Sequence, residues 1–555
     1  MVEHTLEHPS IGSIKGIRKT PGVVQYLGIQ YGSLKNRFSR AQLVVNPPAD
    51  HICRSRNVID ATRKGPSHLL PPDACEDHQK TIVQKNLPIE EWEQSDTEGL
   101  TLNVSVPIDG PKSLPVFVFV PGGGFTSGSS NYPEYDLANI TDLGVQANMP
   151  MVSVGVNYRI GAPGFMYSSA LRDQGYLPNN GLADQRLAFT WIKHNISGFG
   201  GDPDRVTFVG ESAGAVSGWF HLQSPEPLFH QLVALSGSSF LKPRPLALLE
   251  KGFTLGAAEL GAATASPEEQ VRKLAEAPKD EFISKLGRKI PVGPFEDGDL
   301  VRTPPTFADI NGEERNMTKL FPGLRRCKRV ITGDCQMDGL GFHSRLAPRT
   351  DILPQTLAEC LHSVFDPIDT NIAPAIASAY GLDVNARINS LESTKPCLDF
   401  AADVLFALPT RYLTRALAAA DDSNNKVYLC HFNCPNPWDG PWKGHATHAL
   451  DIIFALQNYR GYLSAGQQQC SERLAKDLIA FVNGEEPWPA YDRHRPGSMV
   501  YFASMEAERD ASEYIRTLDP AKTGRKTDLV DLVGEESLDK LVQACQMFLV
   551  GPLVK

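Results

Sequence analysis

An apolar run, Val206-Thr-Phe-Val209, passes directly into Gly210-Glu211-Ser212-Ala213-Gly214 and on into the helix-forming stretch Ala213–Leu222. A strand that turns into a helix this abruptly leaves no room for Cβ atoms beside the bend, and a glycine stands on each side of it. The bend pushes Ser212 out of the backbone and presents its hydroxyl as a candidate nucleophile. So short a pattern carries little weight alone; the surrounding chain supplies the rest.

Strand-like runs fall at 23–31, 100–106, 116–120, 151–156, 206–209, 329–332, 426–431 and 499–502. Helical patterns lie between many of them. In 182–195, Leu182, Leu187, Ala188, Trp191 and Ile192 share one side. The stretch 267–286 opens with Ser266 as N-cap, and 538–549 reads as a terminal amphipathic helix. Strands alternating with helices predict an α/β fold with a mostly parallel sheet covered on both faces. Reactive residues of such sheets sit beyond the carboxyl ends of the strands, where Ser212 falls. No linker, charge block or repeat divides residues 1–555, so one domain is expected.

Net charge −10 and the absence of a basic cluster argue against nucleic acid and anionic membranes as partners. No apolar run approaches the ~18 residues of a membrane span. The start, Met1-Val-Glu-His, has no basic residue leading into an apolar stretch, so no signal peptide is expected. The ten cysteines are too dispersed for a disulfide scaffold, and Cys430 and Cys434 read as buried thiols. A cytoplasmic location follows as the expectation.

A serine hydroxyl needs an imidazole to take its proton, a carboxylate to orient the imidazole, and backbone donors for an oxyanion. The run 116–120 ends in Pro121-Gly122-Gly123-Gly124-Phe125, where consecutive glycines let N–H groups face a cavity; Ala213 adds its own. Among fourteen histidines, His445 and His448 are best placed, after a loop with Trp438 and Trp442 and before an apolar helix starting near Ile452. His448 is favoured and His445 is the fallback. A zinc site of His445, His448 and Asp451 has spacing that suits a metal-binding helix poorly, so no metal is expected. Asp334 and Asp338 both stand in the loop after 329–332, and the residues themselves leave the two even.

Further segments carry a resemblance: Tyr26-Leu-Gly-Ile-Gln-Tyr31-Gly with Arg37-Phe38, Leu100-Thr-Leu-Asn-Val104, Asn157-Tyr-Arg-Ile-Gly161, Asn180-Gly-Leu-Ala-Asp-Gln185, Phe199-Gly-Gly-Asp-Pro203 and Ser236-Gly237-Ser238. With Gly-Glu-Ser-Ala-Gly they make nearly the whole chain resemble the type-B carboxylesterase and cholinesterase-like family of α/β-hydrolases. The resemblance implies an α/β-hydrolase fold, Ser212 as nucleophile, and Gly123, Gly124 and Ala213 as oxyanion donors. It implies Asp338 as the acid, where the family commonly has Glu, and His448, three residues before Asp451, as the base. Pro121 stands where the family usually has His or Tyr, and Gly99 and Ala262 replace half-cystines, which implies a reducing compartment. No counterpart of a choline-stacking tryptophan occurs near 55–70.

The expected activity is hydrolysis of carboxylic esters through an acyl-enzyme, with no cofactor and a small-molecule ester as substrate. Acyl transfer, lactone or amide cleavage would use the same residues, and a non-catalytic binding protein is the alternative of a different kind. Phe125, Trp219, Phe220 and Phe342 are expected to shape an apolar pocket, and 243–305 to form part of a cap. The resemblance also implies a homodimer through carboxyl-terminal helices.

Overall fold

Seven strands run parallel, side by side, through the middle of the computed structural model. In spatial order they are Ser498–Tyr501, Lys426–Phe432, Arg329–Cys335, Gln231–Leu235, Gly201–Glu211, Leu114–Val120 and Val152–Val156. Thr101–Pro107 and Val23–Gln30 extend one side antiparallel, and Glu513–Ile515 closes the other. The structure describes residues 2–44, 52–53, 58–312, 315–384, 392–420, 425–526 and 528–551. Residues 55–57 of the tryptophan-free stretch 55–70 lie outside these.

Leu114–Val120, Val152–Val156 and Gln231–Leu235 are buried at every position, as expected of parallel strands covered on both faces. After Leu114–Val120 the chain goes to Val152–Val156 on one side, then returns to Gly201–Glu211 on the other. The connections diverge there, and the carboxyl ends of the two central strands open the crevice in which such sheets bind ligands. Val120 leads into the glycine loop and Glu211 into Ser212.

The strand readings hold to within a few residues, and the helix at 213–222 is found as expected. One helix expectation needs correction. The stretch 267–286 forms two helices, Pro267–Glu276 and Lys279–Leu286. Pro278 cannot donate to the ladder and disfavours helical backbone at the residue before it, and Ala277 is accordingly extended at φ −54°, ψ 138°. Ser266 caps the first helix, accepting from the Glu269 N–H at 3.3 Å. These helices and Leu246–Glu259 lie between Gln231–Leu235 and Arg329–Cys335 in the chain, off the sheet.

Candidate active site

Ser212 sits at φ 54°, ψ −123°, a conformation that the sheet and helix on either side impose. Its N–H donates to the Leu235 carbonyl at 2.9 Å, and its own carbonyl starts the next helix by accepting from Val216 at 3.0 Å. A Cβ on Gly210 would stand 2.4 Å from the Gly214 carbonyl carbon, and one on Gly214 only 2.0 Å from the Val120 carbonyl oxygen. Both flanking glycines are therefore steric requirements of the bend.

The strand Arg329–Cys335 delivers Asp338 and the strand Lys426–Phe432 delivers the loop holding His448. The two loops are tied by the Met337 N–H, which donates to the Ala446 carbonyl at 2.9 Å. This brings together side chains far apart in sequence. His448 Nδ1 lies 2.8 Å from Asp338 Oδ1, and Nε2 lies 2.9 Å from Ser212 Oγ. Asp338 Oδ2 accepts the Cys335 N–H at 2.9 Å, which orients the carboxylate. With Nδ1–H donating to Asp338, Nε2 is left to accept the serine proton.

The glycine loop lies directly against the serine: a Cβ on Gly122 would stand 2.8 Å from Ser212 Cβ. Gly123 and Gly124 have φ of 112° and 62°. The Gly123 carbonyl accepts the N–H groups of Thr126 and Ser127, both at 3.0 Å. In a trans peptide the Gly124 N–H must point the opposite way, away from those partners. Ala213 is the first residue of its helix, so no carbonyl within that helix can take its N–H.

Three carboxyl groups surround the imidazole. Glu211 Oε1 is 3.2 Å from His448 Nε2, and Asp451 is buried nearby, receiving the Ser236 hydroxyl at 3.4 Å. Burial pushes the Glu211 carboxyl up to about 8, with Asp451 and Asp338 adding to the rise and His448 opposing it. Burial, reinforced by Asp338, lifts Asp451 to about 7. Burial alone would lower His448, yet the Glu211 charge and the bond to Asp338 raise it to about 9. Groups this close titrate as a unit.

Asp334 is engaged elsewhere. Its Oδ1 takes Arg525 Nε at 2.8 Å, Arg525 Nη2 at 2.6 Å and His431 Nδ1 at 2.9 Å. His445 stands in the turn before His448, its N–H donating to Trp442 at 3.2 Å and its carbonyl accepting from Asn436 at 2.9 Å. With both ring nitrogens of His448 on Asp338 and Ser212, it has none left for a metal. Phe125, Trp219 and Phe220 are fully buried, the first packed on Phe165 and the second on Phe321. Phe342 is half-buried and packs on Phe406, whose ring meets the His448 imidazole edge-on at 5.5 Å. Sequence reasoning missed Phe406, for which no local signal exists, and assigned no role to Glu211, although it lies inside the pentapeptide.

A model of the carboxylesterase family matches residues 4–528. A para-nitrobenzyl esterase of Bacillus subtilis is 26% identical over 536 residues, covering 94% of this chain and 99% of its own length. A fumonisin B1 esterase of Sphingopyxis macrogoltabida is 36% identical over 261 residues, covering 45% of this chain and 44% of its own. A solved PNB esterase structure shares the fold with a TM-score of 0.67 at 24% identity, over 94% of this chain and 99% of its own.

Proposed function

The chain belongs to the carboxylesterase family and is a carboxylic ester hydrolase, and on that premise we propose that it cleaves hydrophobic small-molecule esters through an acyl-enzyme on Ser212. The observation that carries this reading is the hydrogen-bonded row Asp338–His448–Ser212. In it, Ser212 Oγ attacks the ester carbonyl while His448 Nε2 takes its proton. The tetrahedral oxyanion is held by the N–H groups of Gly123, Gly124 and Ala213, each donor contributing on the order of 3 kcal/mol to lowering the barrier. The imidazolium then protonates the departing alcohol. Water attacks the acyl group with His448 again as base, and Asp338 remains ionised throughout, fixing the tautomer.

The apolar preference rests on Phe342 and Phe406 beside the imidazole and on the aromatic ester for which the Bacillus subtilis relative is named. The helices within 243–305 act as part of a cap in this reading, and Phe125, Trp219 and Phe220 back the pocket wall. A cytoplasmic location accords with the free, buried thiols of the nine cysteines whose side chains are described. Association into a dimer through the carboxyl-terminal helices is part of the same proposal and is read by the mass in light scattering. The site itself is tested with an organophosphonate probe. Labelling of Ser212 that disappears in Ser212→Ala along with esterase turnover supports it, and a Ser212→Ala protein with full turnover refutes it.

A further inference from the structure

The glycine loop beside Ser212 has a backbone that does not hold itself. Gly123, Gly124 and Phe125 are three successive residues at positive φ, 112°, 62° and 61°, and the last of them carries a side chain. Such a run persists only where its surroundings impose it. Among the described residues no acceptor takes the N–H of Gly123 or Gly124. Gly124 is exposed, whereas Pro121, Gly122 and Phe125 are buried. A Cβ on Gly124 would meet nothing nearer than Thr126 Oγ1 at 3.8 Å, so this residue faces open space. The two N–H groups are available to a ligand oxygen, and something must keep them aimed.

Three alternate carbonyls supply the ties. The hydroxyl of Tyr158, just past the strand Val152–Val156, donates to the Pro121 carbonyl at 2.8 Å. The Gly123 carbonyl collects four donors: the N–H groups of Thr126 and Ser127, both at 3.0 Å, and their hydroxyls at 3.3 and 3.2 Å. The Phe125 carbonyl accepts the Gly161 N–H at 2.7 Å. Each tie fixes a peptide plane, and in a trans peptide the next N–H then points the opposite way. The Gly123 tie thereby sets the direction of the Gly124 N–H. The Pro121 tie sets where the loop meets Ser212. Its neighbour Gly122 has no room for a Cβ, which would stand 2.5 Å from Glu211 Oε2 and 2.8 Å from Ser212 Cβ. Pro121 has no N–H, so its carbonyl is its polar handle. Tyr158 is fully buried, and burial with the Glu211 charge pushes its phenol up, so it stays a donor.

Resting on the oxyanion donors proposed above, we infer that Tyr158, Thr126 and Ser127 are positioning residues whose hydroxyls aim the Gly123 and Gly124 N–H groups at the ester oxygen as it becomes an oxyanion. They act through the loop and not on the substrate. Charge on that oxygen exists only in the tetrahedral state, so a misaimed donor weakens binding of that state and leaves binding of the ester nearly unchanged. Tyr158 carries the larger share. Its bond is the shorter, and among the described residues no backbone donor stands in for it at Pro121. At Gly123 two backbone donors remain when the hydroxyls are removed.

The test compares the wild-type full chain with Tyr158→Phe, which deletes one oxygen, and with the double variant Thr126→Val/Ser127→Ala. 4-Nitrophenyl pentanoate gives kcat and KM, and 1,1,1-trifluoro-2-octanone gives an inhibition constant. Ser212 Oγ bonds to the carbonyl carbon of that ketone, its proton passes to His448, and the ketone oxygen becomes the oxyanion. In Tyr158→Phe, kcat should fall about tenfold and the trifluoroketone should bind about tenfold more weakly. KM should stay within about twofold, because acylation and deacylation both pass through the oxyanion and slow together. In the double variant both changes should be about threefold. KM and the inhibition constant are read from folded protein alone, so a partly unfolded preparation does not mimic this result. Thr126 and Ser127 are only half-buried, so the double variant reads the inference even where loss of the buried Tyr158 hydroxyl costs folding. An unchanged inhibition constant in either variant overturns the role of the hydroxyls removed in it. A KM that rises as far as the inhibition constant marks a general loss of the site's shape, and overturns the inference too. If Ser212→Ala hydrolyses the ester as fast as wild type, the site assignment fails and this inference with it. If hydrolysis needs Ser212 and trifluoroketone affinity is unmoved in both variants, the inference alone fails.

Discussion

The same two strands, Arg329–Cys335 and Lys426–Phe432, supply two buried Asp–His pairs, and the pairs behave in opposite ways. Asp334 with His431 is closed by Arg525, a permanent cation, and although burial pushes the Asp334 carboxyl up, Arg525 and His431 outweigh it and hold it below its ordinary value. Among the described residues no guanidinium pairs with Asp338 or His448; beside them stand Glu211 and Asp451, two more buried carboxyls, both raised by burial, and His448 is raised by the Glu211 charge and the bond to Asp338. Burial with a fixed counter-cation yields a structural clamp, because no proton needs to move. Burial without one yields a cluster whose protonation is poised for change, which is what acid–base chemistry requires.

The comparison breaks first at Ser212, the proposed nucleophile. Ser212→Ala should lower kcat by roughly 10⁴–10⁶-fold, measured with any hydrolysed ester, while the melting temperature stays near that of wild type. Asp338→Asn should lower kcat by about 10⁴, since the amide favours the wrong imidazole tautomer. On the other side of the comparison, Asp334→Ala should cost about 3–5 kcal/mol in urea unfolding, because it strands the Arg525 charge in the interior. A kcat loss in Asp334→Ala together with a stability loss in Asp338→Asn would reverse the assignment.

The two clusters should also give opposite slopes of stability with pH. Asp334 has a depressed folded value, so its contribution is present above the unfolded carboxylate range and is lost as pH falls through the folded value. Glu211 is raised to about 8 from 4.5, so the folded protein holds the extra proton and stability declines as pH rises through that window. His448, raised to about 9 from 6.5, adds to the same decline. Glu211→Gln removes a negative charge from beside the imidazole, which flattens this slope and moves the acid limb of kcat/KM to lower pH. An unmoved limb would show that Glu211 does not govern the base. The smallest effect lies far from both clusters: Ser266→Ala removes a helix cap and should cost about 1 kcal/mol in the same unfolding assay.

Much of this arrangement could be read from the chain. The strand before Ser212, the glycine loop and His448 each announce themselves within a few consecutive residues, because strand burial, bend sterics and helix start are local demands. What sequence mechanics left even was Asp334 against Asp338, and only the resemblance favoured Asp338. The physical reason is distance: Arg525, which occupies Asp334, lies 191 residues further along. Phe406 beside His448 is a tertiary fact of the same kind. The amino-terminal hairpin of Glu3–His8 with Gly12–Arg18 was also missed, since its first strand is mostly exposed and carries no apolar alternation. The break at Pro278 was a local signal that the periodicity on either side overrode.

The central claim is that Ser212 becomes acylated during turnover. Rapid quenching of the protein with a slowly deacylating ester, followed by peptide mass spectrometry, reads this directly. The account predicts one acyl group per chain, on the peptide containing Ser212 and absent from Ser212→Ala. Turnover of that ester with no adduct, or with an adduct on another residue that Ser212→Ala retains, would contradict it.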